Sequence, residues 1–426
     1  MLNVLIVGSG GREHAFTWKA SQSDLVEKVF VAPGNAGTSL EPKTENVDIS
    51  PSDIKGLVSF SKKEDISLVI VGPENPLVNG ITDAFIEAGI NCFGPESLGA
   101  QLEGSKDYAK SFMKKHNIPT ASYESFTDAD QAKNYIQENH LPLVIKADGL
   151  AAGKGVVIAE DHETANKTID EFIGETKFGD ASRKIIIEDF LVGQELSYIV
   201  MVNGTEYLPL ATSQDHKTIG EGDVGLNTGG MGAYSPVPFV NLELDTIIKK
   251  KVIEPTIKGL ADDGIAFRGF LYAGLMIDSD MNPKVLEYNC RFGDPETQPI
   301  MLRLKSDLID MIQTCFTGNI SDYDIKWDEK SAVGVVMCSA GYPESYETGK
   351  VISGLGKLSD KENIKIFHSG TLLKNNDILT NGGRVLCITA LGNGLNQSNE
   401  NAYTAIEEID WDGKYYRKDI GFRVMK

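Results

Sequence analysis

The chain has 426 residues with 41 Lys and Arg against 61 Asp and Glu. The resulting net charge of −20 excludes a non-specific binder of nucleic acid or anionic membrane, which needs a basic surface to replace counterions. Fractions of 41% hydrophobic and 24% charged residues are ordinary for a globular protein of about three domains, and no apolar run approaches the ~18 residues that span a bilayer.

Five scattered cysteines (Cys92, Cys290, Cys315, Cys338, Cys387) include no CxxC pair, so neither a disulfide framework nor a zinc ribbon is expected. They suit a reducing cytosol, and a cytoplasmic location is expected. The segment Met1–Gly8 lacks the basic n-region of a signal peptide. In the first hundred residues, short apolar runs alternate with helical patterns. Strands are expected at Val4–Val7, Val29–Ala32, Leu68–Val71 and Asn91–Phe93, with a helix over Arg12–Ala20. Each strand runs into a glycine-bearing loop, the signature of a doubly wound parallel sheet whose ligand loops share one edge.

Beyond Ser105 the pattern changes. A helix over Lys106–His116 precedes strands at Leu143–Ala147, Val156–Ala159, Ile185–Glu188, Leu196–Val202, Leu208–Thr212, Phe270–Ile277 and Pro283–Tyr288. These read as antiparallel, an α+β region of two subdomains, interrupted by one long loop, Ser213–Pro236, that suits a functional lid. From about Ser331 the chain is strand-rich again, at Val333–Ser339, Lys350–Ile352, Lys365–His368 and Arg384–Leu391, and a helix over Ala402–Ile409 follows. The domains expected are 1–104, 105–326 (with a lid subdomain at about 120–192) and 327–426.

The first loop, Gly8-Ser9-Gly10-Gly11-Arg12-Glu13, approaches the dinucleotide fingerprint but puts Glu13 where the third glycine belongs. The second strand also ends without the carboxylate that grips a ribose, so NAD is disfavoured and a smaller phosphate beside Arg12 is expected. Asp148-Gly149-Leu150-Ala151-Ala152-Gly153-Lys154-Gly155 lies between two strands, so it reads as a glycine hairpin rather than a Walker loop. With Lys146 and Lys154 it can meet a triphosphate.

Glu287 and Asn289 share one face of a strand and offer two oxygens, a donor set that suits Mg²⁺ with phosphate and water as the other ligands. Arg291 follows one alternation later and can stabilise a transferring phosphoryl group. Ile185–Leu191 offers an apolar slot for adenine, with Glu195 nearby for ribose hydroxyls, although an ordinary core strand accounts for this segment equally well.

Taken in order, Gly8–His14, Pro33–Gly37, Gly72–Glu74, Leu102–Lys106, Lys146–Gly155, Gln214–Lys217, Asn227–Pro236, Glu287–Gln298 and Asn381–Leu386 resemble the phosphoribosylamine–glycine ligases. These are the glycinamide ribonucleotide synthetases of de novo purine synthesis, members of the ATP-grasp superfamily. The resemblance covers essentially the whole chain. It implies an N-terminal doubly wound sheet, a central ATP-grasp fold and a small β-rich C-terminal domain.

The N-terminal loops would take phosphoribosylamine, with Gly10, Gly11, Arg12, Asn35, Gly72, Pro73 and Glu74 as contacts, joined by His216 and Lys217. Lys106, Lys146, Gly149, Gly153, Lys154 and Gly155 would meet the ATP phosphates, and Glu188, Leu191 and Glu195 the adenosine. Glu287 and Asn289 would hold Mg²⁺ or Mn²⁺. Lys154 and Arg291 would face the charge of the reaction, which would run through glycyl phosphate, while Asp215 and Asp294 would orient glycine or the amine. The partners would be small molecules only, with neither nucleic acid nor membrane, on a monomer or weak homodimer.

Two departures from the family pattern stand out. Leu271–Met276 offers no further acidic metal ligand, and Leu226 replaces an expected proline before Asn227. The rival readings are a sister ATP-grasp ligase such as a biotin carboxylase-like subunit, a dinucleotide oxidoreductase, and a non-catalytic nucleotide sensor.

Overall fold

A computed structural model describes residues 1–151, 155–358 and 361–425 of the chain. The N-terminal layer is a parallel sheet of β1 (Leu2–Gly8), β2 (Val26–Pro33), β3 (Thr44–Asn46), β4 (Ile66–Val71) and β5 (Asn91–Phe93), in the order β3-β2-β1-β4-β5. Its strands are near-continuous apolar runs because helices cover both faces. The order reverses between β1 and β4, so their C-terminal ends open the crevice where such sheets bind ligands. The edge strand β3 was not expected: Thr-Glu-Asn carries no apolar alternation and forms because it pairs with β2.

The next sheet is antiparallel, built from β6 (Tyr123–Phe126), β7 (Leu143–Ala147), β8 (Val156–Ala159) and β9 (Ile185–Asp189) in the order β6-β9-β7-β8. A second antiparallel sheet follows the order β11-β10-β16-β17 and contains β10 (Gln194–Asn203), β11 (Glu206–Pro209), β16 (Arg268–Ile277) and β17 (Pro283–Asn289). Residues of both sheets line one cleft, and Thr120, in the segment leading into β6, bridges to Val285 of β17.

The stretch expected as one long loop is instead built into structure. It contains β12 (Gln214–Asp215), a hairpin of β13 (Thr218–Gly220) with β14 (Val224–Asn227), and β15 (Gly232–Ser235). The expectation failed because the partner of β15 is β18 (Ser331–Ser339), a hundred residues downstream, and two- to four-residue strands carry no periodicity of their own. The C-terminal sheet thus runs β12-β15-β18-β22-β19, with β19 at Ile364–His368 and β22 at Arg384–Gly392, and a separate hairpin of β20 (Thr371–Lys374) and β21 (Asp377–Thr380) lies between these two in sequence. Two of its strands come from upstream of residue 327.

Lys350–Ile352 is not a strand; Val351 makes a single bridge to Leu379. The last long helix spans Leu395–Glu407, starting earlier than expected. Its buried face reads Ser398, Ala402, Ala405 and Ile406, so a serine hides the start of the periodicity.

Four phenylalanines join the first layer to the grasp sheet. Phe270 of β16 packs against Phe16 (5.6 Å between ring centroids), Phe93 (5.0 Å) and Phe292 (4.9 Å), all of them buried. Phe270→Ala removes the central ring, and a cavity of that kind costs ~3–5 kcal/mol. Urea unfolding should show a loss in that range; a loss below ~1 kcal/mol would contradict this packing role.

Candidate active site

The crevice at β1 and β4 is organised by Glu13. Its carboxylate accepts the Gly10 N–H at 2.6 Å and the Arg12 Nε–H at 2.6 Å. The side chain runs back over Gly8 and Gly72. A Cβ on Gly72 would lie 1.8 Å from Glu13 Oε1, and Gly8 sits at φ +129° with Glu13 against it. Glycine at those two positions is what makes room for a glutamate at the third fingerprint position. Asn35 ties the same loops together: its amide donates to Ser9 O and His368 O, both at 2.8 Å, and accepts from Gly37 N and Thr38 N.

From this crevice a cleft of about 820 Å³ continues between the two antiparallel sheets. Val144, Ile186, Leu191, Met113 and Leu286 give it an apolar end. Lys106 and Lys110 stand one helical turn apart on the helix Lys106–Lys115. Lys146 enters from β7. Glu188, which is 3% exposed, forms ion pairs with both Lys110 and Lys146. Lys106 donates to Gly149 O at 3.2 Å, and burial pushes its ammonium down from its ordinary value. The turn between β7 and β8 is the expected antiparallel hairpin, closed by Ala147 N–H to Gly155 O at 2.8 Å. Gly153 and Lys154 lie outside the described residues.

Glu287 and Asn289 share one face of β17 and line the cleft. Among the described residues neither side chain has a hydrogen-bond or ion-pair partner, and no group of three or more His, Cys, Asp or Glu is placed to hold a metal. One carboxylate and one amide oxygen fit a hard divalent ion that takes its other ligands from phosphate and water. Arg291 lies beyond them. Its Nη2 donates to Glu103 Oε1 at 2.8 Å and its Nε to Glu74 Oε2 at 3.3 Å, so it joins the central domain to the N-terminal layer. Glu103 also accepts the Cys290 N–H at 2.7 Å. Burial is the largest influence on Glu74, yet Arg291 and Arg12 hold its carboxyl below the ordinary value.

Lys217 bridges Glu195 at 2.6 Å and Asp215 at 3.0 Å. Burial, opposed by Lys217, raises the Asp215 carboxyl. Asp294 accepts from Gln298 at 2.9 Å and faces Arg384 at 3.5 Å. Arg384 also holds the turn at Gly229 and Gly230 through their carbonyls. Arg423 donates to Asp215 O at 3.0 Å and, with Arg417, clamps Asp223 on the β13–β14 hairpin. Leu226, on the same hairpin, is exposed.

Of the residues expected at a site, the cleft brings together Arg12, Pro73, Glu74, Lys106, Lys146, Gly155, Glu188, Leu191, Glu195, Asp215, Lys217, Glu287, Asn289, Arg291 and Asp294. Gly10, Gly11, Asn35, Gly72 and Gly149 adjoin it without lining it. The Gly10 N–H and the Asn35 amide are already engaged within the protein.

His216 turns the other way. It is fully buried against Tyr234 and Phe422, and its Nε2 accepts the Gly421 N–H at 3.0 Å. Strand alternation explains this, since Asp215 and Lys217 share a side and the residue between them takes the opposite one. Glu103, Lys110, Glu296, Arg384 and Arg423 also line the cleft and were not expected there. Lys110 carried a signal, its i,i+4 spacing from Lys106; the others come together only through the fold.

The chain matches three family descriptions in succession: phosphoribosylglycinamide synthetase N domain over residues 2–103, its ATP-grasp (A) domain over 104–297 and its C domain over 332–423. It is 54% identical over 424 residues to a phosphoribosylamine–glycine ligase of Vibrio vulnificus (strain YJ016), covering 100% of this chain and 99% of that one. It is 53% identical over 425 residues to the Yersinia pestis protein of the same name, with the same coverage. A crystal structure of phosphoribosylamine–glycine ligase from Thermotoga maritima superposes with a TM-score of 0.84 at 35% identity, covering 99% of this chain and 100% of that one. A biotin carboxylase from Campylobacter jejuni shares the fold, with a TM-score of 0.73 at 15% identity over 98% of this chain and 93% of that one.

Burial, reinforced by Arg423 and Arg417, lowers the His216 imidazole from about 6.5 to about 3. The folded state therefore stays neutral where the unfolded chain takes up a proton, and stability is lost as pH falls below about 6.5. Between pH 7 and pH 5 this linkage amounts to ~2 kcal/mol. Urea midpoints at the two pH values should fall less steeply for His216→Gln than for the wild type. Equal slopes would contradict a buried neutral imidazole.

Proposed function

We infer the chemistry from one premise: the chain belongs to the phosphoribosylglycinamide synthetase family. It is an ATP-dependent ligase that joins glycine to 5-phosphoribosylamine in purine biosynthesis, giving glycinamide ribonucleotide, ADP and phosphate. The finer reading rests on one observation. Arg291 and the pair Glu287–Asn289 stand where the ATP cleft meets the crevice of the N-terminal sheet. Three substrates can meet at that junction.

Glycine's carboxylate is a poor electrophile, so one of its oxygens attacks the γ-phosphorus of ATP, with ADP leaving, and forms glycyl phosphate. The amine of phosphoribosylamine then attacks the acyl carbon. It loses a proton, and phosphate departs with the oxygen that had joined carbon to phosphorus. Both steps depend mainly on positioning and charge.

We assign the apolar end of the cleft to adenine, with Leu191 on it. Lys106, Lys146 and the hairpin Gly149–Gly155, including Lys154, go to the phosphates. Glu188 sets Lys110 and Lys146 in place, which supports a role toward the phosphates more than toward ribose. Arg291 faces the transferring phosphoryl group. Glu287 and Asn289 hold Mg²⁺ or Mn²⁺, which supplies charge neutralisation of the phosphate oxygens when bound. Arg12, Gly72, Pro73 and Glu74 receive phosphoribosylamine. No helix among the described residues is long and apolar enough to cross a membrane, and the five cysteines are buried free thiols; both features suit a cytoplasmic enzyme.

Phosphate release from MgATP should require glycine and phosphoribosylamine together, the latter generated in place. Release with bicarbonate in their stead would move the chain to a carboxylating ligase. Glu287→Gln should lower turnover at least ~100-fold at limiting metal, with unchanged urea unfolding. Full activity in that variant would remove Glu287 from the metal site.

A further inference from the structure

One buried acidic side chain of the cleft has no ion-pair partner among the described residues. Glu296, at the end of the β17–helix connection, is 4% exposed and lines the cleft. Its Oε1 accepts the Ser197 hydroxyl at 3.1 Å, and that hydroxyl lies 3.0 Å from the Tyr272 phenol. Among the described residues this is the only side-chain partner of the carboxylate. Apart from Glu287 of the metal pair, every other buried or half-buried carboxylate lining the cleft is matched by an Arg or Lys.

The charged groups around Glu296 are Asp215 and Lys217 from the β12 segment, Arg291, and Arg384 from β22. Lys217 is already shared between Asp215 and Glu195, and Arg291 between Glu74 and Glu103. The walls nearest the carboxylate are neutral hydroxyls. Burial first, and then the neighbouring Asp215, push the Glu296 carboxyl up to about 7. A buried carboxylate without a cation is costly, and a ligand that brings one removes that cost.

Among the three substrates of the ligase reading, glycine alone brings a compact ammonium group. Its nitrogen lies within about 4 Å of its own carboxylate oxygens. The ammonium must therefore sit close to the place where that carboxylate meets the phosphoryl group. Glu287, Arg291 and Glu296 line the same cleft, and the Arg291 charge acts on both carboxylates, so the phosphoryl end and the unmatched carboxylate share one charged neighbourhood.

We propose that Glu296, oriented by Ser197 and flanked by Asp215, is the ammonium subsite of the amino-acid substrate and the residue that selects a zwitterion over a carboxylate that lacks the ammonium. This rests on the ligase reading and deepens it. Glu296 acts on the amino end of glycine, away from the atoms that react.

The test is initial-rate phosphate release with MgATP and phosphoribosylamine, using glycine and glycolate, which replaces the ammonium with a hydroxyl. Loss of one charge-assisted contact should raise the glycine KM of Glu296→Gln by about 10- to 100-fold, leave the ATP KM within about twofold, and shrink the preference for glycine over glycolate by the same factor. Ser197→Ala keeps the carboxylate and loses only its orienting hydroxyl, so it should raise the glycine KM several-fold in the same pattern. It decides the matter if the first variant does not fold.

Glycine and ATP KM values that rise together, or an unchanged preference over glycolate, would overturn the subsite while leaving the ligase reading intact. A wild type inert toward glycine would overturn the ligase reading and the subsite with it.

Discussion

Most of the cations that line this cleft are held by carboxylates before any ligand arrives, while Lys106 donates to the Gly149 carbonyl. Lys110 and Lys146 share Glu188, Arg291 is held by Glu103 and Glu74, Lys217 lies between Asp215 and Glu195, and Arg384 faces Asp294. An unpaired charge in a low-dielectric interior is costly, so the site carries a set of counterions along with its catalytic groups. Those counterions also unite the fold. Arg291 reaches from the central domain to Glu74 of the N-terminal layer, and Arg423 reaches back from the C-terminal segment to the Asp215 backbone.

The same constraint explains why the C-terminal sheet takes two strands from the central region. Asp215 lies on β12, a two-residue strand, and such a strand holds its side chains steady only inside a larger sheet. Pairing β12 with β15, and β15 with β18, puts Asp215 and Lys217 on a rigid support and turns His216 into the core. Arg384 does the equivalent for the turn Gly229–Gly230 by taking its carbonyls. The strong acidity of the chain as a whole is compatible with nucleotide binding because lysine and arginine side chains line this cleft locally.

What was legible in the sequence was local. The β7–β8 hairpin, the alternation that pairs Glu287 with Asn289, and the glycine-bearing ends of β1 and β4 each lie within a few residues and follow from strand geometry. The remainder is non-local. Glu103, Glu296 and Arg384 fall inside the motifs Leu102–Lys106, Glu287–Gln298 and Asn381–Leu386, but which side chains of those motifs reach the cleft is decided only when sheets from different regions close on it, and Arg423 lies outside every motif. Glu13 breaks the dinucleotide fingerprint, yet the room it occupies comes from Gly8 and from Gly72, almost sixty residues away. His216 was expected at the site only through the Gln214–Lys217 motif, and its burial in the core on the side away from Asp215 and Lys217 is set by non-local pairing.

The proposed mechanism activates glycine as an acyl phosphate within this cleft. Its most direct test is a single turnover with glycine labelled with heavy oxygen in the carboxylate, followed by mass analysis of the inorganic phosphate. The mechanism predicts that one labelled oxygen passes from glycine to phosphate in every turnover. Unlabelled phosphate, with both heavy oxygens lost to water or kept elsewhere, would contradict it.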